Sequence, residues 1–264
     1  MQFNHIIGNP PYDRSIDVKV ASKAKSDKTR FNQIEKITSG YVYCRILIDN
    51  LKRLKENGTL RFVLPANWMT YETFIPFRNW LKEYYAIDRI DVCENLESQK
   101  YFEVGVDVVV LTISNRPPID HTVFSYEFGE PWVVNLNDIE VWPLFTSKSD
   151  YDLYLDVIND ANHKTLTPIK VKKINSTPNK GYVTGNVVIG NKRSNFMDKW
   201  LMNQKLAVNS EHSENNQWAF EFASTQQAQD YIAYSKTDEF KRLINIVVSG
   251  FKLQPYFLRH LGYR

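Results

Sequence analysis

The stretch Ile6-Ile7-Gly8-Asn9-Pro10-Pro11-Tyr12 decides how the first half of this chain is read. Phe3 and the Ile6-Ile7 pair predict a short buried strand, and Gly8 lets the backbone leave the sheet. Two consecutive prolines then fix φ and remove two backbone donors. Asn9 and Pro10 each precede a proline, which pushes both toward extended geometry. The Asn9 amide and the neighbouring carbonyls are thereby held outward at the carboxyl end of a strand, where open α/β sheets place their ligands. Tyr12 adds a flat ring beside them. Such a cluster suits a planar group carrying an exocyclic amine.

Outward from this turn, helices and strands alternate. Leu47, Leu51 and Leu54, at i, i+4 and i+7, predict a helix over 41–57 that stops at Asn57-Gly58. Thr59 to Leu64 reads as a strand ending at Pro65-Ala66-Asn67-Trp68. An amphipathic helix is expected over Phe74 to Tyr85, then an alternating strand from Ala86 to Val92. Lys100-Tyr101-Phe102-Glu103-Val104-Gly105 leads into an apolar strand, Val106 to Ile113.

Asn9-Pro10-Pro11-Tyr12 resembles motif IV of the DNA amino-methyltransferases, in the form typical of N6-adenine enzymes. The resemblance implies that the Asn9 side chain and the Pro10 carbonyl accept hydrogen bonds from the target amine. It also implies that Pro11 stiffens the turn and Tyr12 stacks on the base. Two acceptors on the amine hydrogens favour a more tetrahedral, nucleophilic nitrogen, which can then attack a methyl sulfonium in line. The segment 100–113 is similar to motif VIII, in which an aromatic before a hairpin strand packs on the other side of the flipped adenine. Phe102 matches that role, with Tyr101 as the alternative. An adenine inside a duplex must leave the stack to be methylated, and stacking between Tyr12 and Phe102 would return about 1–3 kcal/mol per base.

Relatives of this kind carry a glycine-rich loop and an acidic strand end upstream of motif IV, and neither fits before residue 9. Gly181, Gly185 and Gly190 have the wrong spacing for a permuted loop, and no Phe-x-Gly-x-Gly pattern occurs. The expectation is a gamma-class enzyme without its amino-terminal half, as a fragment or as one part of a split enzyme. S-adenosyl-L-methionine (AdoMet) is the implied methyl donor, with most of its binding site outside this chain.

Composition narrows the remaining classes. The net charge of +3 hides an asymmetry: residues 1–163 hold 18 Lys and Arg against 23 Asp and Glu, whereas 164–264 hold 15 against 7. Clustered cations gain affinity for a phosphate backbone through counterion release. Lys170, Lys172, Lys173, Lys180, Lys192 and Arg193 are the candidate DNA contacts. Lys19, Lys23, Lys25, Lys28 and Arg30 fall in a segment, 15–40, without apolar periodicity, read as a loop beside the catalytic turn. Cys44 and Cys93 lack metal spacing and read as reduced core thiols of a cytoplasmic protein. The five histidines are scattered and suggest no metal site. The longest apolar run is strand length, far short of the ~20 residues of a membrane span.

The resulting expectation is α/β: the carboxy-terminal half of a Rossmann-like methyltransferase sheet, followed by an α+β target-recognition domain. Residues 1–118 form the partial catalytic domain, 119–163 a bridging region with Trp132, Trp142 and a helix near 150–159, and 164–264 the DNA-reading region. In that last region Val183 to Ile189 and Trp218 to Phe222 read as strands, and Thr225 to Val248 as one helix. The expected function is AdoMet-dependent adenine-N6 methylation of double-stranded DNA in restriction–modification, with an upstream-encoded AdoMet-binding half as partner and little activity alone. A non-catalytic DNA-binding module and an RNA or protein amine methyltransferase are the alternatives.

Overall fold

The computed structural model describes residues 1–12, 31, 34–35, 38, 40–103, 105–169, 180–186, 205–207, 217–247 and 255–264. The chain is α/β and divides into two compact units, Met1–Lys148 and Ser149–Arg264. The stretch read as bridging is thus shared between them.

In the first unit six strands form one mixed sheet: β1 (Phe3–Gly8), β2 (Leu54–Pro65), β3 (Ala86–Cys93), β4 (Val108–Ser114), β5 (Thr122–Tyr126) and β6 (Trp132–Val134), in the order β1-β2-β4-β3-β5-β6. β1 and β2 are parallel, as are β3 and β5, and β4 runs antiparallel between β2 and β3. β1, β2, β3 and β5 therefore all point one way, and their carboxyl ends lie along one rim.

Helices α1 (Val42–Leu51), α2 (Asn67–Thr70), α3 (Ile75–Tyr84) and α4 (Asn95–Phe102) occupy the connections. Leu47, Ile48 and Leu51 of α1 and Phe77 and Leu81 of α3 are buried. The paired row Phe62–Leu111–Ile90–Phe124 is equally buried, at 0–3% exposure. Each such side chain contributes about 1.5–3 kcal/mol by leaving water. Arg78 of α3 is fully buried and acts as a clip. Its Nη1 donates to the Trp68 and Tyr71 carbonyls at 2.8 and 3.0 Å, and its Nε to the Glu140 carbonyl at 3.2 Å. Trp142 meets Trp68 edge-on at 5.6 Å, so the segment after β6 belongs to this core.

Several expectations need correction. β1 is not buried: Phe3 is 38% and Ile7 82% exposed, because the strand lies at the sheet edge. The first helix stops at Leu51, and Asn57 (φ +60°) and Gly58 lie inside β2, next to a shift in the β1–β2 register. Most of the basic segment 15–40 lies outside the described residues. Residues 31, 34, 35 and 38 are nonetheless helical, with Ile34 and Thr38 buried, so its end is packed rather than a loop. The stripe Phe31, Ile34, Thr38 has helical spacing that the surrounding lysines and serines obscured.

The second unit holds a four-stranded antiparallel sheet, β7 (Thr167–Ile169), β8 (Gly181–Asn186), β9 (Lys205–Ala207) and β10 (Gln217–Phe222), ordered β7-β10-β8-β9. Its described helices are α5 (Lys148–Ile158), α6 (Thr225–Tyr234), α7 (Asp238–Val247) and α8 (Pro255–Leu261). A Cβ on Gly181 would come within 2.4 Å of the Ser224 carbonyl, so the glycine permits α6 to sit against β8. The single helix expected over 225–248 is two helices. The Thr237 hydroxyl accepts from the Phe240 amide at 3.2 Å and starts a new helix. Tyr231, Phe240, Leu243 and Val247 still share one buried core. No helix among the described residues is long and apolar enough to cross a membrane.

Candidate active site at the carboxyl rim of the sheet

β1 delivers its carboxyl end to the rim beside β2, and the turn Asn9-Pro10-Pro11-Tyr12 begins there. Gly8 permits the approach, since a Cβ there would lie 2.8 Å from the buried Phe62 ring. Pro10 is buried and anchors the turn, whereas Asn9 and Pro11 are exposed and Tyr12 is half-buried. The Tyr12 hydroxyl donates to Asn9 Oδ1 at 2.9 Å. Burial pushes the Tyr12 phenol up to about 12, so it remains a donor at neutral pH. The amide oxygen expected to receive a substrate amine is thus already in use as an acceptor.

The neighbouring strand ends build the rest of the rim. After β2, Asn67 opens α2 and its Oδ1 accepts from the Tyr43 hydroxyl at 2.7 Å. The Ala66 amide donates to the Asp107 carbonyl at 2.9 Å, tying this loop to the start of β4. Phe102 is the last residue of α4, half-buried, and the helix closes on Glu103 in the left-handed region. Its ring lies 6.4 Å from Tyr101 and 6.5 Å from Phe128, and Tyr101 and Phe128 meet edge-on at 5.6 Å. Glu127 and Phe128 both have positive φ in the turn after β5, a conformation uncommon for residues with a Cβ. β1 and β3 are three strand spacings apart, about 14 Å at the usual interstrand distance. The trio's ring contacts do not include Tyr12.

Sequence reasoning did not find the Tyr101–Phe128 pair, because Phe128 reaches the rim only through the pairing of β5 with β3. It also missed fully buried Asp91, which accepts from Arg89 Nε at 2.7 Å and from the Ser125 hydroxyl at 2.6 Å. The alternation in Ile87-Asp88-Arg89-Ile90-Asp91 places Arg89 and Asp91 on one face, but Ser125 is brought by strand order. Burial raises both free thiols, Cys93 to about 11.

Of the candidate DNA contacts, Lys170, Lys172, Lys173, Lys192 and Arg193 lie outside the described residues. Lys180 is exposed and ion-paired with Glu221, whose hydrogen bond raises its pKa.

The fit to AdoMet is poor. Among the described residues no glycine-rich loop follows a strand, and β1 is an edge with no strand beyond it.

Residues 1–102 match the family model of the Eco57I restriction-modification methylase, a span that includes β1 to β3 and α1 to α4. No curated protein matches the chain. Solved structures similar to it include the type I restriction-modification methyltransferase subunit from Streptococcus thermophilus, at 21% identity over 47% of this chain and 26% of that one, TM-score 0.37. A modification subunit of a putative type I restriction enzyme from Vibrio vulnificus YJ016 is 13% identical over 47% and 25%, TM-score 0.37. The DrdV–DNA complex is 17% identical over 74% and 24%, TM-score 0.39. The chain spans about a quarter of the length of these three structures.

Proposed function

We infer that this chain carries the amine-binding and DNA-reading parts of an AdoMet-dependent DNA adenine-N6 methyltransferase of the restriction–modification type. The observation that carries this reading is Asn9-Pro10-Pro11-Tyr12 at the carboxyl end of a parallel strand, with Asn9 exposed, inside a segment that matches a restriction-modification methylase family. In this reading Asn9 Oδ1 and the Pro10 carbonyl accept the two amine hydrogens of an extruded adenine, drawing its nitrogen toward a nucleophilic geometry. Pro11 keeps the acceptors fixed, Tyr12 stacks on the base, and Phe102 or its neighbour Tyr101 closes the slot. An amide oxygen has two acceptor sites, so Asn9 Oδ1 can take the amine beside the Tyr12 hydroxyl, or exchange one for the other at about 0.5–1.5 kcal/mol. The donor AdoMet is assigned to polypeptide outside the described residues, since the rim does not fit it. Domain roles follow the sequence boundaries: catalysis within 1–118, DNA reading within 164–264, with Lys170, Lys172, Lys173, Lys180, Lys192 and Arg193 toward the phosphates.

The test is a pair of variants in an assembled enzyme, scored separately for methylation and for DNA binding. Asn9→Ala should reduce turnover by about a hundredfold or more, as for loss of one preorganised group, while DNA affinity stays within a few-fold. Tyr12→Phe should leave turnover within a few-fold, because it frees the Asn9 acceptor and keeps the ring. Equal loss of turnover and DNA binding in Asn9→Ala would make Asn9 a structural residue and remove this reading.

A further inference from the structure

Among the described residues four with a Cβ have positive φ, and three of them flank one cluster of rings on the carboxyl rim. Glu103 (φ +58°) closes α4 directly after Phe102, while Glu127 (φ +50°) and Phe128 (φ +58°) form the turn that leaves β5. Across this turn the Gly129 amide donates to the Tyr126 carbonyl at 2.9 Å, and the Glu127 amide donates to the Val92 carbonyl at 2.7 Å. Positive φ at both central positions is the type I′ pattern, in which Asn-Gly is the favoured pair. Glu127-Phe128 is therefore held against its backbone preference, and residues held in this way cluster at active sites and ligand clamps.

What the turn holds up is an exposed ring. Phe128 is 42% exposed, and Tyr101, which it meets edge-on at 5.6 Å, is 54% exposed, with Val106 nearby in sequence at 40%. Lys100 Nζ lies 5.0 Å from the centre of the Tyr101 ring. A whole aromatic side chain covers about 150–250 Å², so two half-exposed rings and a valine offer roughly a few hundred. A stable protein interface takes about 800 Å² from each partner. The patch is thus the size of one flat ring system and not of a protein face. Glu103 and Glu127, the chain neighbours of Phe102 and Phe128, are exposed and carry the wrong charge for a phosphate. An uncharged base is the part of a nucleic acid that fits here.

We propose that Phe128 and Tyr101 form a second base-stacking platform, for a base of the DNA other than the extruded adenine. Phe102, whose ring lies 6.5 Å from that of Phe128, keeps its place against the adenine, so the two stacking positions are adjacent. Extruding one nucleotide breaks the stack on both sides of it and leaves its former partner unpaired. Each of these bases gains a free face, and stacking on an aromatic ring accepts any base. A rigid turn suits the task, because a ring ordered in advance loses little freedom when the base arrives. The inference deepens the functional reading and rests on it for the identity of the ligand as DNA.

The test uses an assembled enzyme containing this chain, on a duplex bearing its site, either intact or with one abasic position. Phe128→Gly should weaken binding to the intact duplex about tenfold or more, as for one lost base stack, and Phe128→Trp should keep it within a few-fold. The abasic position is placed in turn opposite the target adenine and on either side of it. Where the stacked base is the one removed, the abasic duplex and Phe128→Gly together should cost no more than either alone. At the other positions the two losses should add. Additivity at all three positions, or binding indifferent to Phe128→Gly, overturns the proposal. A urea titration of the chain separates stacking from a merely structural role. Phe128→Gly should leave the midpoint unchanged or raise it, because glycine adopts positive φ without strain. A lowered midpoint would make Phe128 a core residue and overturn the proposal as well. Methyl label on cytosine would count against the adenine reading and leave a stack identified in this way standing.

Discussion

Two rows of the six-stranded sheet, one residue apart in register and on opposite faces, differ in burial. Phe62, Leu111, Ile90 and Phe124 on one face are sealed, whereas Arg61, Thr112, Arg89 and Val123 on the other are exposed or half-exposed. The first row is part of the core that holds the unit together. The second face is open only along its own row: Val110, Asp91 and Ser125, two residues further on, are buried again. The difference separates positions that carry the fold from positions that tolerate change.

The largest effect expected from this contrast comes from adjacent residues that point opposite ways. Leu111→Ala should lower unfolding free energy by about 2–5 kcal/mol, and Thr112→Ala by no more than about 0.5 kcal/mol, both read by urea titration. Comparable losses would mean that the open face is packed after all. Next is Asp91→Ala, which strips the Ser125 hydroxyl of its buried acceptor and should cost about 1–3 kcal/mol. A loss below about 0.5 kcal/mol would make the cluster an ordinary solvated one. Ile7→Lys in the chain alone should shift stability by less than about 0.5 kcal/mol, since the side chain has little contact to lose. A larger destabilisation would show that β1 is covered.

The smallest effect belongs to the turn itself. The folded Tyr12 phenol, at about 12, lies above its ordinary value of 10.0 because of burial. Its contribution to stability is present below pH 10 and is lost as pH rises toward 12. The ultraviolet difference titration of the chain against Tyr12→Phe should therefore show one tyrosine ionising near pH 12. A midpoint near 10 would mean an exposed ring and a free Asn9.

Much of the first unit was legible because its signals are local. The alternation of Ala86 to Val92, the apolar run ending at Ile113 and the amphipathic stretch after Phe74 each predicted the element found there. The turn at Asn9 was legible for the same reason, since two prolines fix it without help from distant residues. What sequence could not supply is strand order. Only pairing of β3 with β5 brings Ser125 to Asp91 and Phe128 to Phe102, and only the edge position of β1 makes the apolar Ile7 exposed. Asn57-Gly58 misled because a left-handed residue serves a strand irregularity as well as a helix stop. Thr237 hid a helix boundary inside an unbroken apolar stripe.

The account's central claim is that Asn9 to Tyr12 present an adenine amine for methylation. The most direct measurement is tritiated methyl transfer from AdoMet to plasmid DNA by an assembled enzyme containing this chain, with Asn9 intact and as Asn9→Ala. The account predicts label recovered as N6-methyladenine, reduced about a hundredfold or more by Asn9→Ala. Label on cytosine, or labelling unchanged by Asn9→Ala, would contradict it.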